Sequence, residues 1–365
     1  MLPRRMHLQI FAAGRSATLM LALLLLTACN GIFSGTGDKT PIKNVASIHI
    51  GFVTATASQN FAVEMAAGAQ YAANQYHIKA DILAPPATDN QAELKIFQHM
   101  TQVDRDGIGV MTLGPDVFAP AEADAAKQGI PLVAVDVTPL PTAHITTFIG
   151  NDNIAAGTQL ATAAINLLPR NANGTVLLGI DTPGVPVLNY RIQGIKQQFQ
   201  TLRPGLRLIG PFNSRELPQD NFQAWNAMVQ THTSIVAGLG VGDADNASLA
   251  QIKQADHSTY LTGAFDLNEA GLQAVANGTN FALVDPEHFL KGYVGMRLLI
   301  EHALYGSAIP VGWWNTGSLL VTQNNVQNII SRQVSLATKG RFYQPIIDQE
   351  FANPAANIRP LDQAK

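Results

Sequence analysis

Cysteine is nearly absent from this chain, with Cys29 the only one among 365 residues. A single cysteine excludes an internal disulfide and any structural zinc site built from two or more thiolates. Charge is also scarce, at 13% of residues, and its formal balance of −3 offers no polybasic surface to a nucleic-acid backbone. The apolar stretch Ala17–Ala28 (ATLMLALLLLTA) falls short of the roughly 20 residues a membrane-spanning helix needs. The nine histidines are scattered, with no HExxH, and there is no GxSxG. The glycines and prolines follow no short period, which excludes a collagen-like chain. What remains is length enough for about two domains, each burying its own core.

The first residues carry Arg4, Arg5 and Arg15 and no acid, followed by the short apolar run. That order reads as a secretory signal over residues 1–28. It ends Leu26-Thr27-Ala28-Cys29, which resembles a bacterial lipobox, and the resemblance implies lipidation of Cys29 as the mature N-terminus. Cleavage there removes the three arginines and takes the net charge from −3 to −6. Residues 29–45, rich in Gly, Ser and Thr, read as a flexible tether. The GIFSGTGDKT within it is not a phosphate loop, because Asp38 separates Gly37 from Lys39 and no strand precedes it.

From residue 46 short apolar runs alternate with amphipathic stretches. Strands are predicted near 46–53, 79–83, 108–113 and 132–135, then near 175–180, 206–209, 234–239, 259–264 and 281–284. Helices are predicted between them, including 61–74, 120–127, 154–167 and 188–200. Such alternation predicts an α/β chain with two doubly wound parallel sheets, each covered by helices on both faces. Ligands of such sheets bind beyond the carboxyl ends of the strands, so the loops after each strand are the candidate site. Aspartates recur there: Asp136, Asp243, Asp266 and Asp285. Asp220 and Asp245 lie near helix starts and read as N-caps, whereas no long helix follows Asp136. Trp225 and Phe222 read as core, and Trp313-Trp314 as packing near a crossing between the sheets.

The ordered set IHIGFVTATASQNFAVEMAAGAQYAA, GIGVMTLGPD, GIPLVAVD, FIGNDNIAAG, NYRIQGIKQQF, IVAGLGVGD, LTGAFD and HFLKGYVG resembles the type I periplasmic solute-binding proteins. The ribose- and glucose-binding group serving ABC importers is the nearest in kind. The likeness covers roughly residues 46–330. It implies two lobes joined by three hinge crossings: residues 46–150 with 287–312, and 151–286 with 313–330. Residues 331–365 form a C-terminal extension beyond the resemblance.

The resemblance also implies ligand contacts. Phe61 matches a ring-stacking aromatic, Ser58 and Gln59 polar contacts in its loop, and Asp136 a cleft carboxylate. Asp243 and Asp266 match polar and acidic positions of the second lobe. Asn189 stands where the family has a ligand arginine, and Asp285 falls near a glutamine position. Val137 and Gly114 replace a further arginine and an asparagine, and Arg191 reads as a structural salt bridge. Carboxylates and an aromatic face suit hydroxyl donors and C–H faces, so the expected solute is a small neutral sugar or polyol, not an anion. The implied protein is a non-enzymatic, extracytoplasmic, lipid-anchored monomer that passes solute to an ABC permease and needs no metal or cofactor. A sensor lobe feeding a signalling partner, a nucleoside-like solute, and acid–base chemistry by Asp136 and Asp266 stand as alternatives.

Overall fold

The computed structural model describes residues 40–365; the leader, Cys29 and most of the tether lie outside the described residues. The chain begins with β1 (Ile50–Thr54), α1 (Asn60–Gln75), β2 (Asp81–Leu83), α2 (Asn90–Val103), β3 (Gly107–Met111), α3 (Pro115–Lys127), β4 (Leu132–Val135) and β5 (Thr147–Gly150). A second series follows: α4 (Asn153–Leu167), β6 (Thr175–Ile180), α5 (Pro186–Leu202), β7 (Arg207–Asn213), α6 (Pro218–Thr231), β8 (Ile235–Gly240), α7 (Asp245–Ala255), β9 (Leu261–Phe265), α8 (Glu269–Ala276) and β10 (Ala282–Asp285). The last part holds α9 (His288–Tyr305), β11 (Gly312–Asn315), β12 (Leu319–Val321), α10 (Val326–Gln333), α11 (Leu336–Ala352) and β13 (Ile358–Arg359).

Two sheets result, ordered β13-β11-β5-β4-β3-β1-β2 and β12-β10-β9-β8-β6-β7. All pairings are parallel except the edge strands β13 and β12, which run antiparallel to β11 and β10. Central strands β1, β3, β4 and β6 are buried along their whole length, which is why they read as unbroken apolar runs. The first sheet packs α1 and α9 on one face and α2 and α3 on the other. The second packs α4 and α5 against α6 and α7 in the same manner.

Helix starts follow local chemistry in part. Asp89, Asp152 and Asn268 cap α2, α4 and α8, each accepting a backbone N–H of the first turn. Asp220 and Asp245 depart from the predicted cap role. The residues at those cap positions, Leu217 and Ala244, make no side-chain bond, and Asp245 is instead a buried acceptor. α3 begins at Pro115, earlier than predicted, because Pro115 occupies the first turn, where a missing N–H costs nothing.

Two further differences concern the last part of the chain. Trp313 and Trp314 pair with β5 in the first sheet, so the third passage to the second sheet comes after Asn315, not at residues 312–313. Residues 331–365 are integrated into the body rather than appended to it. α11 packs on α1 and α9, and β13 extends the first sheet. Both tryptophans are buried, with Trp313 Nε1 donating to the Gly150 carbonyl and Trp314 Nε1 to Glu350.

One close helix contact positions the site. α1 and α9 touch backbone to backbone: a Cβ on Gly68 would lie 1.9 Å from the Phe289 carbonyl oxygen, and one on Gly292 would lie 1.9 Å from that of Met65. Glycine at both places lets α9 press its first turns, with His288 and Lys291, against the helix that carries Phe61.

Candidate ligand-binding cleft

Strand order reverses once in each sheet, between β1 and β3 and between β6 and β8, and the loops at these switch points form a single cleft. Gln59, Phe61 and Leu113 come from the first sheet's loops, and Asp181, Thr182, Gly242 and Asp243 from the second's. Asp136, Asp266, Arg191 and His288 complete the polar lining, and Val185, Val187 and Leu188 an apolar wall. The enclosed space between these residues is tight, about 40 Å³.

Asp136 and Asp266 occupy matching places. Each follows its strand, β4 or β9, in the left-handed region, at φ 67° and 65°. Each donates its N–H to the neighbouring strand, Asp136 to Ile149 O and Asp266 to Val284 O. Aspartate tolerates this conformation better than most residues, and it turns both carboxylates toward the cleft.

A buried chain of charges links them. Lys291 Nζ lies 2.5 Å from Asp136 Oδ1, His288 Nε2 lies 2.7 Å from Asp266 Oδ1, and Arg191 Nη1 lies 3.6 Å from Asp266 Oδ2. His288 Nδ1 stands 3.7 Å from Asp136 Oδ1, too far for a hydrogen bond. Arg191 also donates to Asn153 Oδ1 and the Val241 carbonyl and lies over the Phe265 ring, so its guanidinium is a structural brace, as expected. Burial alone would raise the Asp136 pKa, but Lys291, His288 and Arg191 outweigh it and hold the carboxyl at about 2. Asp266 is likewise lowered against its burial, first by the His288 hydrogen bond and then by Arg191. Lys291, wholly buried, is lowered by desolvation.

The opposite holds across the cleft. Burial and the nearby Asp266 push Asp243 up to about 7. Burial, then Asp245 and Asp266, raise Asp181 well above the carboxylate range.

Three bonds clasp the lobes over the cleft. Asn60 N donates to Asp243 Oδ2 at 3.1 Å, and Thr88 Oγ1 and Gln59 Nε2 both donate to Glu216. Phe61 tilts over His288 with ring centroids 6.1 Å apart, and both rings line the cleft.

Of the residues singled out by sequence, the structure brings together Gln59, Phe61, Asp136, Asp243 and Asp266. Three lie elsewhere. Ser58 is exposed and bonded within its own loop to Thr56. Asn189 sits on an exposed face of α5. Asp285 points behind the cleft, where Arg332 holds its Oδ2 at 2.8 Å. Asp181, His288 and Lys291 were missed. Asp181 follows β6 at the second switch point and could have been found by the same strand-end rule. Nothing in the sequence pairs Lys291 with a residue 155 positions earlier.

Two α/β lobes closing switch point to switch point on a small-molecule cleft define a hinged binding protein. A family model described as the periplasmic binding protein domain matches residues 50–307. The chain is 30% identical over 310 residues to the D-allose-binding periplasmic protein of Escherichia coli K12, covering 80% of this chain and 98% of that protein. It is 23% identical over 239 residues to the xylose/arabinose-binding protein XylF of Sulfolobus acidocaldarius, covering 61% of this chain and only 58% of that one. Among solved structures, an ABC transporter solute-binding protein of Burkholderia graminis in complex with D-arabinose superposes with a TM-score of 0.72 at 20% identity, covering 78% of this chain and 98% of the other. The glucose-galactose binding protein GanP of Geobacillus stearothermophilus superposes at 0.69 and 20%, covering 76% and 98%. The chain belongs to the periplasmic binding protein family.

Proposed function

We propose that this protein is the solute-capturing component of an ABC importer and closes on a sugar or polyol outside the cytoplasm. The observation that carries this reading is the cleft itself: an aromatic ring, Phe61, lines it together with carboxylates contributed by both lobes. Hydroxyl donors and C–H faces of a sugar fit such a lining, and the binding partners named for the relatives are of the same chemistry. Gln59, Phe61, Asp136, Asp243 and Asp266 make the ligand contacts, and no bond of the solute is broken. Residues 46–150 with 287–315 act as one lobe and 151–286 with 319–330 as the other, with 331–359 bound to the first. Ligand contacts to both lobes stabilise the closed state alone, so capture and release follow from the hinge.

Cys29 carries the lipid that tethers the monomer near its permease. Export of the full-length protein in a bacterial host labelled with a fatty acid tests the anchor: wild type takes up label and Cys29→Ser does not. Thermal unfolding against a panel of pentoses, hexoses and polyols tests the ligand class. One or more should raise Tm by mass action, and a flat panel overturns the reading.

A further inference from the structure

Counting charges around the cleft shows an imbalance. Five acids face it or lie directly behind it: Asp136, Asp181, Asp243, Asp245 and Asp266. The buried cations are Lys291 and Arg191, and each is already engaged, with Asp136 and with Asp266 respectively. His288 gives Nε2 to Asp266. Asp245 is satisfied by Asn221, by Trp225 Nε1 at 2.7 Å and by Gly242 N at 2.9 Å. Asp181 and Asp243 are in no ion pair among the described residues, and both line the cleft.

Both carboxyls belong to the same wall of the cleft. A Cβ built on Gly242 would fall 1.9 Å from Asp181 Oδ2, so the Asp181 carboxyl rests on the residue before Asp243. Asp243 Oδ2 is used by Asn60 N, but its Oδ1 is buried with no partner. The same is true of His288 Nδ1, on a side chain only 5% exposed that lines the same cleft. That nitrogen faces Asp136 Oδ1 at 3.7 Å. Asp243 Oδ1 is thus an unused acceptor at the cleft, and two carboxyls lack a cation.

We propose that the solute is an amino sugar whose protonated amine is held between Asp181 and Asp243. An ammonium has three donors and no acceptor, which is what this wall lacks. Its ring C–H face meets Phe61, and the remaining hydroxyls meet Asp136, Asp266 and His288. Burial and the neighbouring carboxylates, Asp266 foremost for Asp243 and Asp245 for Asp181, keep both carboxyls protonated toward neutral pH. The ammonium replaces one of these two protons, which leaves to the solvent, while the other carboxyl keeps its own. A neutral sugar displaces none, and an anion meets only further repulsion.

The inference rests on the sugar reading, and one experiment separates them. The full-length protein is titrated calorimetrically at pH 6.5 with D-glucosamine, D-galactosamine and D-mannosamine, each against its parent hexose. Neutral pentoses and polyols are included, and two buffers of different ionisation enthalpy are used. At least one amine should bind about tenfold or more tighter than its parent and release close to one proton. In D181N/D243N, its folding checked by Tm, that advantage should fall to within about threefold. If a neutral sugar or polyol binds and no amine improves on its parent or releases a proton, this inference is overturned and the sugar reading stands. If no neutral or amino sugar binds, both fall.

Discussion

Lys291 Nζ meets Asp136 Oδ1 at 2.5 Å with neither side chain more than 4% exposed. Such a pair is costly to desolvate and costlier to break, because the survivor is left as a lone buried charge. Lys291→Met should therefore destabilise the fold by about 3–5 kcal/mol in urea denaturation. Adding Asp136→Asn to the same chain should recover much of that loss. A double variant no better than the single one would contradict the pairing.

Stability should be highest in mildly acidic solution, near pH 5, and fall on both sides. Asp136, depressed to about 2, contributes about 2 kcal/mol that is present above its unfolded value of 3.8 and disappears as pH drops through 2. Glu93 and Glu287, pushed up to about 8, and Glu122, to about 7, are buried and act in the other direction. Their folded forms hold protons that the unfolded chain has lost above 4.5, so stability declines as pH rises from there toward 8. Glu93 has one oxygen on Thr112 and the other buried without a partner. Glu93→Gln should flatten the alkaline limb of a Tm-versus-pH curve.

Phe61→Ala should weaken sugar binding about tenfold or more, through loss of the stacking face and its buried area, with little change in Tm of the ligand-free protein. Calorimetry reads both quantities separately.

Glu216 accepts from Thr88 and Gln59 across the mouth of the cleft. Glu216→Ala should shift the ligand-free protein toward open forms, seen as a larger radius of gyration in solution scattering. It should also speed ligand dissociation more than it slows association.

Asn189 is a useful contrast, since it stands on an exposed face of α5 outside the cleft. Asn189→Ala should leave solute affinity within about twofold of wild type. A large loss would place the ligand somewhere other than between the two switch points.

Most of the sheet architecture was legible because central parallel strands such as β1 and β6 are buried on both faces and so are apolar throughout. The strand-end rule likewise led to Asp136, Asp243 and Asp266. It failed where tertiary partners decide a side chain's direction. Asp245 looks like a cap in sequence, but Trp225 and Asn221 draw it inward, and Arg332 draws Asp285 behind the cleft. α10 and α11 were invisible for a related reason. α11 buries only Gly340, Tyr343 and Ile347, and its anchoring comes from α1 and α9, far away in sequence.

The placement of β11 and β13 has a consequence for how the chain assembles. The first sheet takes strands from residues 50–150 and again from 312–315 and 358–359, while five of the six strands of the second lie between 175 and 285. The second lobe can therefore form largely from a continuous stretch as it emerges. The first lobe must keep an open edge beside β5, which ends at Gly150, until β11 at Gly312–Asn315 has appeared. A chain threaded out of the cell in sequence order would complete its first lobe last, when α9, β11, α11 and β13 close it.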